Sequence, residues 1–429
     1  MEFEKRLASV RPSKRQFEFQ KTEFYAFVHF TVNTYTDREW GDGSESPQIF
    51  YPKSLDARQW AKAVKSAGMK GLILTCKHHD GFCLWPSKYT AHTIAASPYK
   101  DGKGDIVSEA SAACKEYGLK FGIYLSPWDR HEPSYGTGKA YDDYFVSQLT
   151  ELLTGYGDIF CVWLDGACGE GKNGKKQYYD WERYYEVVRR YQPGACINVC
   201  GPDIRWCGNE AGQTRPSEWS VVPEEMRDTE KIASLSQKRD EEGFRVRMLS
   251  AAELDLGSRE KLRAEKNLIW YPAEVNTSIR PGWFYHQRED EQVKTPDALF
   301  DIYCSSVGGN ATLLLNIPPA KDGLFHENDV ACLEELGEKI RALTENDITK
   351  DVRIREDEIT VFLKEKTAVG CIILQEDISK GQRVESFSVF ADGVHIYDGT
   401  VIGYKKIIRL QDVVADSLQI KITASRMEP

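Results

Sequence analysis

The chain has 429 residues, of which 41% are hydrophobic and 28% are charged, so it can bury a core of ordinary size and is not intrinsically disordered. Its formal net charge of −10 argues against a nucleic-acid partner, because binding to phosphates requires a basic surface. No apolar run approaches the length of a membrane span, so we expect no membrane association.

The cysteines indicate a reducing compartment. Eleven are spread along the chain without the spacing of a disulfide framework and without a C-x-x-C motif. Cys76, Cys161 and Cys371 lie in apolar segments, where we expect reduced thiols. The first residues also lack the apolar core of a signal peptide, although a leader removed earlier would leave the same sequence. We therefore predict a cytoplasmic location, and the sequence leaves the oligomeric state open.

The first 343 residues alternate short apolar runs with amphipathic segments. We predict strands at residues 24–30, 71–81, 120–128, 159–164, 195–201, 268–274 and 312–319, and helices at 55–67, 106–117, 141–153, 178–191, 299–306 and 329–343. Short apolar runs bounded by turn residues are typical of strands buried on both faces of a parallel sheet. The alternation predicts an α/β fold, an irregular (β/α)8-like TIM barrel. A doubly wound open sheet is the alternative, but no G-x-G-x-x-G follows the first strand.

The regular alternation weakens in the second half of this region. Residues 201–219 are predicted to form a long polar loop, and the strongly charged residues 223–266 to form solvated helix and loop without chemistry of their own. We therefore expect loops to replace some of the barrel helices there.

The last part of the chain has a different hydrophobic pattern. Short alternating segments separated by turn residues occur at 359–363, 371–374, 387–390, 406–410 and 418–422. This pattern predicts a C-terminal antiparallel β-sandwich over residues 344–429, following a catalytic barrel over residues 1–343. The sandwich holds one histidine, His395, so we expect it to support the barrel rather than to carry chemistry.

Asp165 closes the apolar run at 159–164 and is followed by Gly166. By itself an Asp-Gly pair is more typical of a turn or a helix cap than of catalysis. In a barrel, however, the carboxyl ends of all strands share one face, and this is where such folds carry their sites. That face would also collect His29, His78, His79, Tyr124, Trp163, Glu210, Glu274 and Asn316.

These side chains do not match a metal site. His78 and His79 are adjacent, and adjacent side chains on a strand point to opposite faces, so they would not chelate one ion easily. Glycoside hydrolysis fits better, because it needs two carboxyl groups across a sugar with neutral hydrogen-bonding side chains around it. Asp165 and Glu210 are the candidate pair, and we expect neither a metal nor a cofactor.

With these residues identified, the chain resembles the α-L-fucosidases of glycoside hydrolase family 29 over residues 24–320. The shared motifs are Phe27-Val-His29-Phe30, Arg38-Glu39-Trp40-Gly-Asp-Gly, Lys77-His-His-Asp-Gly-Phe82 with Trp85, Gly122-Ile-Tyr124, Trp163-Leu-Asp165-Gly166 and Leu314-Leu-Asn-Ile-Pro-Pro319. Two further segments, residues 208–212 and 280–286, resemble the branch of the family that acts on α-1,3/1,4-linked fucose in Lewis-type glycans.

The resemblance implies a retaining exo-glycosidase that acts on fucosylated oligosaccharides by double displacement. It implies that Asp165 is the nucleophile and Glu210 the acid/base, with Glu274 as the rival for the second role. The implied substrate-binding residues are Phe27, His29, Glu39, Trp40, His78, His79, Trp85, Tyr124, Trp163 and Trp283. A broader linkage preference, an α-1,2/1,6 preference, or an inactive fucose-binding barrel remain the alternatives.

Overall fold

A computed structural model describes residues 2–236 and 254–428 of the chain. Part of the charged segment predicted as solvated helix and loop therefore lies outside the described residues. The strands, in chain order, are β1 (Phe24–Val28), β2 (Gly71–Lys77), β3 (Lys120–Leu125), β4 (Ile159–Leu164), β5 (Cys196–Val199), β6 (Arg205–Trp206), β7 (Val221–Pro223), β8 (Leu268–Trp270), β9 (Ala273–Ser278), β10 (Thr312–Asn316), β11 (Thr349–Arg355), β12 (Glu358–Ala368), β13 (Cys371–Leu374), β14 (Val384–Ala391), β15 (Val394–Gly399), β16 (Lys406–Arg409) and β17 (Val414–Ser425).

Eight strands form a nearly closed barrel. Their order in the sheet is β5-β4-β3-β2-β1-β10-β9-β6, and the paired strands run parallel. The two ends of the sheet approach each other through an isolated parallel bridge between Asn198 and Ile204. The predicted irregular TIM barrel is confirmed.

Helices surround this sheet and alternate with its strands. The described α-helices are Glu2–Ser9, Lys14–Gln20, Val32–Thr36, Ala57–Ser66, Ile106–Tyr117, Lys139–Gly155, Trp181–Tyr191, Thr229–Ser236, Arg259–Leu262, Pro296–Ser306 and Glu327–Glu345. The helix Ile106–Tyr117 shows why its sequence predicts both ends: the side chain of Asp105 accepts from the Ser108 N–H, and Gly118 takes a left-handed conformation after the last turn. Between β5 and β6 the connection at 200–204 is too short for a helix, so the barrel is irregular there.

One predicted strand is wrong in a way that matters for the site. The apolar run at 268–274 is two strands: β8 pairs antiparallel with β7, and β9 begins only at Ala273. The break falls at Pro272, which has no N–H for a strand ladder. Glu274 is therefore the second residue of β9, deep in the barrel, and Ser278 ends that strand.

The C-terminal residues form antiparallel sheets. The larger has the order β11-β12-β17-β14-β15, and β13 pairs with β16 in a second sheet. Phe387, Val389, Leu418 and Ile420 lie in the apolar core of this region. The predicted β-sandwich is confirmed, although β11 and β15 were not predicted. β11 is exposed along most of its length, so its sequence carries little alternation. The barrel helix Glu327–Glu345 ends two residues beyond the predicted boundary.

The inside of the barrel is aromatic. Tyr25, Phe27, Tyr124 and Trp163 belong to one buried cluster, which lies among the barrel strands below the rim. All eleven cysteines are free thiols, and Cys371 alone among them is not fully buried. Within the described part of the chain, no helix combines the length and the apolarity needed to cross a bilayer.

Candidate active site

A pocket opens at the carboxyl ends of the barrel strands, where the sequence predicted a site. Both candidate carboxylates, Asp165 and Glu210, lie in its wall. Of the described residues, those that line it are Phe27, His29, Glu39, Trp40, His78, His79, Tyr124, Trp163, Asp165, Ala167, Val199, Trp206, Glu210, Asn276 and Trp283. Nine of the ten predicted substrate-binding residues are in this set, and the exception is Trp85.

Asp165 follows β4, and both of its carboxylate oxygens accept hydrogen bonds. The Tyr124 hydroxyl donates to Oδ2 at 2.7 Å, and the Ala167 N–H donates to Oδ1 at 2.9 Å. The side chain keeps 20% of its surface exposed, so it remains accessible from the pocket. Burial raises the pKa of Asp165 above its ordinary value, while the Ala167 N–H and the Tyr124 hydroxyl oppose this effect. The carboxylate is therefore fixed in orientation but open on the side that faces the pocket.

His79 beside Asp165 has a tautomer set by its neighbours. Its Nδ1 lies 2.7 Å from Oγ of Ser126, and Ser126 already donates its own hydroxyl proton to the carbonyl oxygen of Trp128. Ser126 must therefore accept from Nδ1–H, which leaves Nε2 as an acceptor, 3.8 Å from Oδ2 of Asp165. Burial lowers the pKa of His79 to about 3, so the ring is neutral at pH 7.

His29, just after β1, is oriented by the same logic. Its Nδ1 lies 2.8 Å from Oδ1 of Asn316, whose amide group donates to Ser278 Oγ and to the carbonyl oxygen of Trp283. Nδ1–H is thus the donor and Nε2 is an acceptor. Burial lowers the pKa of His29 to about 4. Each ring can therefore accept a hydrogen bond from a sugar hydroxyl group through Nε2.

His78 and His79 both line the pocket although they are adjacent in sequence. Strand β2 ends at Lys77, so the alternation of a strand no longer applies to the two rings, whose centroids are 4.1 Å apart. Lys77 is fixed behind them by hydrogen bonds from Nζ to Oδ2 of Asp129 at 2.8 Å and to Gln148 at 2.9 Å. Among residues 2–236 and 254–428, no group forms a hydrogen bond with Nδ1 of His78.

The second carboxylate, Glu210, lies on the loop after β6. Oε2 of Glu210 accepts from Nε1–H of Trp283 at 3.0 Å. The loop that carries Trp283 is fixed by Glu39, whose carboxylate accepts the backbone N–H groups of Trp283 and Phe284 at 2.8 and 3.1 Å. His286 adds a 2.7 Å contact from Nε2 to Oε1 of Glu39. Glu39 thus contributes to the pocket largely by holding the indole that contacts Glu210.

Aromatic rings make the rest of the wall. Phe27 is 1% exposed, and its ring centroid lies 4.5 Å from that of His29 and 5.2 Å from that of Trp163. Trp40 meets His79 edge-on, with ring centroids 5.6 Å apart. Such rings provide the apolar surface against which the C–H face of a sugar packs.

Four lining residues were not predicted: Ala167, Val199, Trp206 and Asn276. Trp206 is on the two-residue strand β6 inside the predicted loop, and its Nε1–H donates to Oδ1 of Asn276 at 2.9 Å. Asn276 lies beyond the predicted end of its strand. Val199 has a φ of 66°, a left-handed conformation that is strained for a β-branched residue. No local sequence signal points to any of these positions.

Trp85 is not in the pocket, so its assignment to substrate binding needs correction. It is 2% exposed, and its Nε1–H donates to Oε2 of Glu151 at 2.9 Å. After His79 the chain turns back along β2, as the hydrogen bond from Leu84 N to Cys76 O shows. Trp85 is thereby carried away from the rim to the helix Lys139–Gly155, which includes Glu151.

Glu274, the rival acid/base, is also outside the pocket. It is 0% exposed, and its two oxygens accept from Trp163 Nε1–H at 2.7 Å, Tyr25 O–H at 2.5 Å and Asn198 Nδ2–H at 2.6 Å. Burial raises its pKa, and these three donors oppose the effect. The carboxyl group lies behind the indole of Trp163, so it cannot reach a substrate in the pocket.

The donors in this pocket do not suit a metal ion. In residues 2–236 and 254–428 no group of three or more histidine, cysteine, aspartate or glutamate side chains could hold one. Three carboxylates, Asp165, Glu210 and Glu39, lie in this wall among neutral imidazoles, a phenol and indoles. Such a lining instead suits a neutral ligand with several hydroxyl groups and one bond to be cleaved.

Comparison with known proteins identifies the relatives of this chain. The model of the alpha-L-fucosidase family matches residues 5–345. Alpha-L-fucosidase 1 of Arabidopsis thaliana is 36% identical over 459 residues, covering 97% of this chain and 85% of the plant protein. A crystal structure of a putative alpha-L-fucosidase from Bacteroides ovatus is 45% identical with a TM-score of 0.90, covering 99% of this chain and 74% of the bacterial one. A Ruminococcus gnavus fucosidase in complex with fucose is 29% identical with a TM-score of 0.80, covering 97% and 92% of the two chains.

Proposed function

This chain belongs to the α-L-fucosidase family of glycoside hydrolases, and on that premise we propose that it removes terminal α-1,3- or α-1,4-linked L-fucose from Lewis-type oligosaccharides with retention of configuration. The observation that carries this proposal is the presence of Asp165 and Glu210 in the wall of one pocket. A retaining glycosidase requires two such groups, one on each side of the scissile bond.

In the first step Asp165 attacks the anomeric carbon of fucose. The bond to the glycosidic oxygen breaks while an ester bond forms between the sugar and a carboxylate oxygen of Asp165. Glu210 donates its proton to the departing oxygen, which leaves as the hydroxyl group of the remaining oligosaccharide. The Tyr124 and Ala167 donors favour the ionised form of Asp165 that this attack requires.

In the second step water hydrolyses the fucosyl-enzyme. Glu210, now ionised, takes a proton from the water, whose oxygen attacks the anomeric carbon and releases Asp165. Two inversions give fucose with its original configuration. In the substrate complex we expect the two carboxyl groups to lie about 5–5.5 Å apart, the separation of retaining enzymes.

The hydroxyl groups of fucose are held by neutral side chains. The unprotonated Nε2 atoms of His29 and His79 accept hydroxyl protons, and Glu39 keeps Trp283 in place beside Glu210. We expect Phe27, which lines the pocket, to contact the C6 methyl group that distinguishes L-fucose from L-galactose. One buried methyl group provides only about 1–3 kcal/mol of discrimination, so the hydroxyl contacts supply the remainder.

The linkage preference is supported by the meeting of two segments. Residues 208–212 and 280–286, which resemble the α-1,3/1,4 branch, come together where Trp283 donates to Glu210. We expect the leaving group to depart on this side of the pocket, where the hydrogen bond from Trp283 orients the carboxylate of Glu210.

The experiment compares four substrates: nitrophenyl α-L-fucoside, a Lewis trisaccharide, an α-1,2-linked and an α-1,6-linked fucoside. We expect kcat/KM to be highest for the trisaccharide, and early NMR spectra to show the α-anomer of fucose. Equal rates on all linkages, or preference for the α-1,2 or α-1,6 substrate, would contradict the linkage. Initial release of the β-anomer would contradict retention, and fucose binding without cleavage would indicate an inactive barrel.

A further inference from the structure

Glu274 is a buried carboxylate for which the proposed reaction has no use. Burying an ionised group is costly unless it is well hydrogen-bonded, and this side chain is 0% exposed. It accepts from Trp163, Tyr25 and Asn198, and across residues 2–236 and 254–428 no arginine or lysine forms an ion pair with it. A buried ionised group of this kind is therefore not explained by a contribution to stability alone.

A continuous series of contacts connects this carboxylate to the pocket. Oε1 of Glu274 accepts from Nε1–H of Trp163 at 2.7 Å. The indole stacks on the Tyr124 ring, with centroids 5.4 Å apart and planes at 27°. Tyr124 in turn donates to Asp165 at 2.7 Å. The two rings are register partners on the adjacent strands β3 and β4, so a shift of one displaces the other.

We infer that Glu274 is a positioning residue for the reaction: it locks the indole of Trp163, and the indole holds the Tyr124 hydroxyl in line with Asp165. An indole without this acceptor would lose the hydrogen bond that sets the orientation of the ring within its plane. Misplacement of a catalytic group by about 1 Å costs on the order of 10²-fold in rate. The role requires a hydrogen-bond acceptor at position 274, and it does not require a negative charge.

Two substitutions of Glu274 distinguish loss of the hydrogen-bond acceptor from loss of the negative charge. In Glu274→Gln the amide oxygen can face Trp163 while the amide NH2 faces Tyr25 and Asn198. Oδ1 of Asn198 has no hydrogen-bond partner within the described part of the chain, and a flip of the amide group would present this oxygen to the new NH2. The Tyr25 hydroxyl can donate to Thr312, 2.9 Å away, instead. Glu274→Leu has a similar volume and removes the acceptor.

The experiment measures kcat and KM on nitrophenyl α-L-fucoside for Glu274→Gln and Glu274→Leu. We expect Glu274→Leu to lower kcat about 10²-fold and Glu274→Gln to stay within about 3-fold of wild type, with KM changed less than about 3-fold in both. The matched control is Asp142→Asn, a buried carboxylate that accepts from the Tyr184 hydroxyl and does not line the pocket. Equal loss in both Glu274 variants, or wild-type kcat in a folded Glu274→Leu, would overturn the inference.

A double-mutant cycle tests whether the effect passes through the indole. Trp163→Phe removes the N–H, so Glu274→Leu in that background should lower kcat by less than about 3-fold further. If the full loss persists on top of Trp163→Phe, Glu274 acts by another route and the inference fails.

If Glu274→Leu does not fold, an NMR measurement on Glu274→Gln tests the inference instead. The indole 15N–H resonance of Trp163 is identified by its absence in Trp163→Phe. In Glu274→Gln we expect it to shift, because the acceptor changes from a carboxylate to an amide oxygen, while kcat is retained. An unmoved resonance would show that Glu274 does not bind the indole, which refutes the inference.

The inference rests on the proposed role of Asp165, so Asp165→Ala is measured alongside. If Asp165→Ala remains active, the proposed function fails. If Asp165→Ala is inactive while Glu274→Leu keeps its wild-type kcat, only the positioning role fails.

Discussion

Two tyrosine–carboxylate pairs lie at different depths of the barrel and have similar local chemistry. Near the rim, Tyr124 donates to Asp165 at 2.7 Å, and deeper inside, Tyr25 donates to Glu274 at 2.5 Å. Burial raises the pKa of both carboxyl groups. The difference is access, because the Asp165 side chain is 20% exposed and Glu274 is 0% exposed. Donors and pKa values alone would therefore not distinguish a nucleophile from a positioning group.

The strongest test of this comparison is Asp165→Ala. We expect kcat on nitrophenyl α-L-fucoside to fall by about 10³-fold or more, because the ester intermediate cannot form. Asp142→Asn, on the helix Lys139–Gly155, serves as the control for loss of a buried carboxylate and should keep its activity. A folded Asp165→Ala protein with substantial turnover would remove the basis for assigning the rim pair to catalysis.

Glu210→Ala tests whether the accessible glutamate, rather than the buried Glu274, is the acid/base. We expect kcat on the Lewis trisaccharide to fall by about 10²-fold or more, since the leaving oxygen loses its acid catalyst. Azide should restore part of the rate on the aryl fucoside, because a small anion can attack the fucosyl-enzyme without a general base. Glu274→Leu should show no azide rescue. Rescue there, with none at Glu210→Ala, would transfer the acid/base role to the interior.

The two tyrosines provide a matched pair of substitutions, Tyr124→Phe and Tyr25→Phe. The Tyr124 hydroxyl lowers the pKa of Asp165, so its removal should raise that pKa further. Asp165 must be ionised to attack, so activity is lost as the pH falls through its pKa. Tyr124→Phe should therefore move the acid limb of kcat/KM to higher pH by about one unit, and lower kcat by about 10²-fold, at least as much as Glu274→Leu.

In Tyr25→Phe the acid limb should stay in place, because Tyr25 donates to Glu274 and not to Asp165. The measurement is the pH dependence of kcat/KM, which reports the free enzyme. A shift in both variants, or in neither, would mean that the acid limb does not report Asp165.

Trp85→Phe should have the smallest effect on catalysis. Because Trp85 donates to Glu151 outside the pocket, kcat and KM should change by less than about 2-fold, while stability falls by about 1–3 kcal/mol. Enzyme assays and urea unfolding measure these two quantities separately. A large rise in KM with unchanged stability would return Trp85 to the substrate-binding residues.

Much of the barrel could be predicted because its strands are continuous apolar runs. β4 was predicted with its observed bounds, and β10 with its observed start, since each begins as a short apolar run. The prediction for β10 continued to residue 319, past the observed end of the strand at Asn316. β9 was misplaced because its pocket end, residues 276–278, is Asn-Thr-Ser and carries no apolar signal. β6 has two residues, which is too short for any periodicity.

In the site, too, some positions could be predicted from the sequence and others could not. The motifs around Asp165 and the paired histidines mark positions directly after strands, and parallel strands bring such positions together. Trp85 belongs to one of these motifs but follows a turn that returns along β2, and its spacing from His79 does not reveal that reversal. Whether Glu274 faces the pocket or the barrel interior depends on where β9 begins.

The sequence by itself determined the alternation of elements, the change to antiparallel strands and the residue types at the strand ends, because these follow from local hydrophobic pattern and turn chemistry. The tertiary structure decided which carboxylates a substrate can reach. Accessibility is a property of how strands and loops from distant parts of the chain pack together, as when Trp163 of β4 covers Glu274 of β9. No local pattern contains that information.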